Sequence, residues 1–156
     1  NKYVRKAAVE ALTEVAEKGD ERAITSVCFC LKDAEKCVRE LAVEVMLLVA
    51  EKGDERAITG VCACLKHVDS DVRFAALRAL VLLAEKGDER AIANVCGSLE
   101  DTEANVRVTA VQALVLVAEK GDEQAIACVG ARIEHADWHV REAAVKALAH
   151  VAQKRN

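Results

Sequence analysis

The sequence predicts an all-α chain built of 34-residue helical hairpins, each stacked on the next. Three observations carry this reading. The string EKGDERAI begins at Glu17, Glu51 and Glu85, and a near copy, EKGDEQAI, begins at Glu119. A Val-Arg pair keeps the same register, at Val4-Arg5, Val38-Arg39, Val72-Arg73, Val106-Arg107 and Val140-Arg141. Between these markers apolar residues return at helical spacing. From Val38 they fall at Leu41, Ala42, Val45, Met46 and Val49, which is one face of a helix. A hairpin of this length cannot bury its own apolar face, so self-similarity at a fixed period implies that neighbouring units complete one another.

Each unit reads as a longer first helix and a shorter second helix. The expected helices cover roughly 1–18, 20–32, 36–52, 54–66, 70–86, 88–100, 104–120, 122–134 and 138–154. Gly53 is expected to stop the second unit's first helix by taking the left-handed position after its end. Asp54 then caps the next helix, with Glu55 in its first turn facing the helix dipole. The buried side of that second helix is Ile58, Val61, Cys62 and Leu65. The Gly-Asp turn is tight, which predicts an antiparallel hairpin within each unit. No insertion breaks the register, so residues 1–156 read as one domain. Its units are about 1–34, 35–68, 69–102 and 103–136, with a final half unit at 137–156. The last helix lacks a second helix, which predicts a piece of a longer array, with polar Gln153 to Asn156 as a weak cap.

Composition narrows the function. The formal net charge is −4. A duplex nucleic-acid binder carries a basic face, and the only candidate track here, Arg22, Arg56 and Arg90, ends at Gln124. A nucleic-acid partner is therefore not expected. No apolar run approaches the length of about eighteen residues that crosses a membrane, and no membrane association is expected. The start, NKYVRKAAVEAL, does not read as a signal peptide. Seven cysteines cannot all pair. Cys28, Cys62 and Cys96 share one repeat position and read as small core side chains. The expected setting is reducing, so cytoplasmic or nuclear.

The unit resembles a HEAT repeat, and within that group the short HEAT-like type named after phycocyanobilin lyases. The residues that carry this are Leu31, Asp33, Val38, Arg39 and Ala42, and again Leu99, Asp101, Val106, Arg107, Ala110, Ala113 and Leu114. The resemblance implies a right-handed α-α superhelix. It also implies a ladder in which the acidic residue and the arginine bond across neighbouring units: Asp33, Arg39, Arg73, Asp101, Arg107 and Arg141. The chain departs from that pattern where His67 and His135 stand in the aspartate position. The resemblance further implies a macromolecular partner held along the concave face formed by second helices.

No catalytic constellation accompanies the repeat. His135, Asp137 and His139 lie close in sequence, but two histidines and one carboxylate in a loop are a weak metal signal. Cys28 and Cys30, like Cys62 and Cys64, sit two apart on a helix and do not share a face. Neither a metal nor a cofactor is expected, nor a nucleophile motif. The function expected is a non-catalytic scaffold or adaptor for protein or peptide. Two alternatives stand beside it. One is a chromophore lyase or other enzyme-associated protein, which the family name alone suggests. The other is an engineered or purely structural array, which the regularity of the repeat suggests.

Two surfaces are candidates for binding. On the second helices the outward rows are Arg22, Ser26 and Phe29; Arg56, Gly60 and Ala63; Arg90, Asn94 and Gly97; Gln124, Cys128 and Ala131. Gly60 and Gly97 either make room for a partner or permit tight curvature. On the first helices Leu47, Val81 and Val115 lie opposite the buried face, and Phe74 and Val108 form a second row beside them. These five residues are either an apolar outer strip that supports a weak homodimer or side chains half-buried between adjacent first helices. Covering the strip removes roughly 200 Å² of apolar area, worth about 5 kcal/mol before association costs.

Overall fold

The structure, a computed structural model, describes residues 1–152. Among the described residues there are nine α-helices: α1 (Lys2–Val15), α2 (Glu21–Cys30), α3 (Lys36–Val49), α4 (Glu55–Cys64), α5 (Ser70–Leu83), α6 (Glu89–Ser98), α7 (Ala104–Val117), α8 (Glu123–Gly130) and α9 (Trp138–Val151). The sequence expectation for Gln153 to Asn156 lies outside the described residues. The chain divides into two compact units, Asn1–Ala84 and Glu85–Asn156.

The first unit holds α1 to α5. Its core is lined by Ile24, Val27, Leu31, Val38, Ala42, Met46, Ile58, Val61, Val72, Ala76 and Leu80, all buried. The second unit holds α6 to α9, with Ile92, Val95, Leu99, Val106, Ala110, Leu114, Val129, Val140, Ala144 and Val151 buried. Alanine recurs on the first helices of both units and lets helix axes approach closely.

The closest sequential packing is not where the tight Gly-Asp turn predicts it. Helix α2 packs mainly on α3 and α4 on α5, whereas α1 and α2 touch sparingly. In the second unit the corresponding pairs are α6 with α7 and α8 with α9. The structural hairpin is thus a second helix joined to the following first helix, offset by one helix from the 34-residue unit.

The reason lies in the exit from each first helix. The predicted first helices run about three residues too far, because the chain leaves them in extended conformation. Ala16, Ala50, Ala84 and Ala118 have ψ of 135°, 148°, 140° and 148°. The glycine that follows is left-handed, with φ of 86° at Gly19 and 80° at Gly53. It does not close its own helix, as expected for Gly53, but caps another. The Gly19 N–H donates to the Val49 carbonyl at the end of α3, and the Gly53 N–H to the Leu83 carbonyl at the end of α5, both at 2.7 Å. In the second unit Gly87 and Gly121 do the same for Val117 and Val151. The turn therefore lies against the end of the next first helix. A side chain in this left-handed conformation would be strained.

The second helices start as expected. Asp54 Oδ1 accepts the backbone N–H groups of Arg56 and Ala57, and Asp20, Asp88 and Asp122 cap in the same way.

Candidate protein-binding surfaces

The arginine row has an inner half that recurs from unit to unit and an outer half that varies. Arg39 Nη1 donates to the Asp33 and Ala34 carbonyls at 2.6 and 3.0 Å. Arg73 does so to His67 and Val68, Arg107 to Asp101 and Thr102, and Arg141 to His135 and Ala136. Each arginine thereby ties down the carbonyls of the link that precedes its own helix, a role the resemblance does not imply. The carboxylate partners differ from joint to joint. Arg5 forms a bidentate pair with Asp33, at 2.6 and 3.0 Å, and its guanidinium holds that carboxyl below the usual carboxylate range. The same step from Arg39 reaches His67, and Arg39 pairs instead with Asp71, at 3.1 Å.

The two histidines keep half of the aspartate's work. Asp33 Oδ1 accepts the Glu35 N–H at 2.9 Å and Asp101 Oδ1 the Glu103 N–H at 2.9 Å. His67 Nδ1 accepts the Asp69 N–H and His135 Nδ1 the Asp137 N–H, both at 3.1 Å. An imidazole nitrogen thus reproduces the turn-closing acceptor but brings no carboxylate to the arginine. Among the described residues no group of three or more His, Cys, Asp or Glu is placed to hold a metal ion.

On the second-helix face of the first unit, Arg22, Ser26, Arg56 and Ala63 are exposed, and Phe29 is 78% exposed. Arg56 pairs with Glu21 at 3.3 Å, so the arginines of this face are interleaved with acid. In the second unit Arg90, Gly97 and Ala131 are exposed, and Asn94, Gln124 and Cys128 are half-buried. Gln124 Nε2 donates to the Glu89 carbonyl at 3.0 Å and is committed to the neighbouring helix.

The two glycines of this face have different causes. A Cβ on Gly60 would stand 2.4 Å from Cys28 Sγ, so Gly60 lets α4 lie close on α2 and its space is already filled. A Cβ on Gly97 would meet nothing within 4 Å. Gly97→Ala is therefore expected to stabilise the protein by about 0.5–1 kcal/mol through helix propensity. Gly60→Ala is expected to cost about 1 kcal/mol through the overlap, and adding Cys28→Ala should recover most of that. Chemical denaturation of the four variants checks the signs.

Burial holds several of the thiols in their protonated form. Burial, reinforced by Cys64, pushes the Cys28 thiol up to about 11, and burial together with Cys128 pushes Cys96 up to about 12. Cys62 and Cys96 are buried as expected, Cys28 is half-buried, and Cys37 is exposed.

On the first helices Leu47, Val108 and Val115 are exposed, whereas Phe74 and Val81 are half-buried. The expected strip is thus divided: three of its residues lie at the surface and two are partly covered. A further row was missed. Leu48, Leu82 and Leu116 are 60%, 43% and 59% exposed. They lie one residue beyond Leu47, Val81 and Val115, so the same 34-residue step would have found them. Glu44, Arg78 and Gln112 border these rows and are exposed. No helix of the described residues is long and apolar enough to cross a membrane.

A family model described as HEAT repeats matches residues 30–115 and 97–155; that description does not single out the short lyase-type subgroup. No curated protein matches the chain. Solved structures similar in fold include two crystal structures of engineered proteins, at 22% and 21% identity and TM-scores of 0.56 and 0.57. Each match covers 97% of this chain, and 76% and 74% of those chains respectively. Another is a designed armadillo repeat protein in complex with the peptide (KR)4, at 19% identity and a TM-score of 0.58, covering 97% of this chain and 77% of that one. At such identity these likenesses show the fold, an all-α solenoid of helical hairpins.

Proposed function

Because this chain belongs to the HEAT-repeat family, we propose that it is a non-catalytic scaffold that binds a protein or peptide on a face of its helices. The observation that carries this reading is the exposed apolar row on the first helices. Leu47, Leu48 and Leu82 of the first unit and Val108, Val115 and Leu116 of the second leave large apolar side chains in water on helices whose opposite faces are fully buried. Large apolar side chains left exposed together on one helix face, as they are within each unit, mark interaction sites. The second-helix face adds Phe29, and a designed armadillo repeat protein of similar fold forms a complex with a peptide. The proposed setting is a reducing compartment, supported by the odd number of cysteines.

The finer form of the reading is weak self-association through the first-helix row. Replacing Leu48 and Leu116 together by glutamate should leave far-UV circular dichroism unchanged, since both side chains are exposed. Sedimentation over a concentration series should show a concentration-dependent species for the wild type and a monomer for the double variant. A wild type of constant monomer mass at every concentration would overturn self-association, and a dimer that persists in the double variant would place it elsewhere.

A further inference from the structure

Among the described residues, Arg107 is a buried guanidinium of the arginine row with no carboxylate at hydrogen-bonding distance. Arg5 meets Asp33 at a separation of 28 residues, and Arg39 meets Asp71 at a separation of 32. The same two steps from Arg107 reach His135 and His139. Arg107 is only 7% exposed. Its Nη1 donates to the Asp101 and Thr102 carbonyls, and its Nε and Nη2 donate to no described residue. Its spare donors are not sealed off from solvent, and the carboxylate that senses its charge, Glu142, makes its own hydrogen bond to Lys146.

This arginine borders a cavity of about 280 Å³ between α7 and α9. Val108, Val111 and Ala143 supply its apolar side, while His139, Lys146 and His150 stand on the other. The cavity's own carboxylate is occupied: Glu142 Oε1 accepts from Lys146 Nζ at 2.7 Å. That bond, reinforced by the charge of Lys146 and to a lesser extent of Arg107, holds the Glu142 carboxyl below its ordinary range. The charge facing the cavity is therefore net positive beside an apolar wall.

We infer that this cavity is a carboxylate-binding site, which takes an aspartate or glutamate side chain flanked by apolar residues from a peptide segment of a protein partner. The incoming carboxylate would fill the place that Asp71 holds for Arg39, through charge-assisted hydrogen bonds to the spare donors of Arg107. The neighbouring apolar side chain of the peptide would lie on Val108 and Val111. This rests on the reading that the partner is a protein, and it adds the chemistry that the partner presents.

The test uses the whole chain labelled with nitrogen-15 and two capped tripeptides, leucine-glutamate-leucine and leucine-glutamine-leucine. The glutamate peptide should shift the Arg107 Nε–H resonance and the backbone signals near Val108. The glutamine peptide should bind about tenfold more weakly, the effect of losing one charge-assisted contact. His139→Asp places a carboxylate where Asp71 stands for Arg39; it should raise the melting temperature and abolish the shifts. An equal response to both peptides, undiminished binding in His139→Asp, or no response up to millimolar peptide would each overturn the assignment. A shift by acetate that the glutamate peptide does not exceed would also overturn it, leaving a bare anion site. These outcomes do not depend on the mass of the protein, so failure here is distinguishable from failure of the Leu48 and Leu116 experiment.

Discussion

Arg39→Ala is expected to lower the unfolding free energy by about 3 kcal/mol, read from urea denaturation followed by circular dichroism. The side chain is buried at 4% exposure and satisfies three acceptors at once: the Asp33 and Ala34 carbonyls and the Asp71 carboxylate. Removing it leaves the two link carbonyls without the donor that this buried side chain supplies. Arg39→Lys should recover only part of the loss, because an ammonium cannot span two carbonyls and a carboxylate as a planar guanidinium does. Arg5→Ala should shift the melting temperature far less. Its pair with Asp33 is geometrically better, but the Arg5 side chain stands largely in water, where ion pairs are screened. Equal losses for Arg39 and Arg5 would show that the row acts through its ion pairs. The expected contrast would show that it acts through the link carbonyls.

Leu80→Ala is expected to cost about 3 kcal/mol, and Leu82→Ala, two residues on in the same helix, close to nothing. Leu80 is completely buried in the first unit, whereas Leu82 is 43% exposed on the outer row of α5. Truncating Leu80 removes its packing contacts and leaves a cavity among rigid helices. Truncating Leu82 shortens a side chain that already meets solvent. Parallel denaturation of the two variants checks the difference. A loss at Leu82 comparable to that at Leu80 would mean that the outer row is structural, and the binding reading would lose its main support.

The helix count, the buried faces and the capping aspartates were legible in the sequence because each rests on local spacing. Val38, Ala42, Val45 and Val49 lie on one stripe for any helix of that period, and all four are buried. Asp20, Asp54, Asp88 and Asp122 cap because their side chains reach backbone groups two or three residues on. The helical wheel left the flank residues either exposed or half-buried, and Val108, Val115 and Leu47 are exposed.

Periodicity could not place what depends on a neighbour from another part of the chain. Phe74 and Val81 occupy the same row positions as Val108 and Leu47, yet they are half-buried, because packing between helices, not the wheel, sets how much of a flank remains open. Gly53 looked like a helix stop, and its left-handed backbone was readable. That its N–H caps Leu83, thirty residues on, required the fold. Gly60 and Gly97 both lie on the outward rows of second helices, at different steps of the repeat, and it took the approach of Cys28 to show that Gly60 is a packing glycine and Gly97 an open one. The orphaned Arg107 lies between the two cases. Sequence arithmetic finds histidine at both carboxylate positions, but only the packed structure shows the guanidinium buried beside a cavity rather than released into water. The sequence by itself determined the elements and their inward faces, since those follow from backbone geometry over a few residues. The tertiary structure alone decided which polar groups found partners, since a partner some thirty residues away is set by how the helices pack.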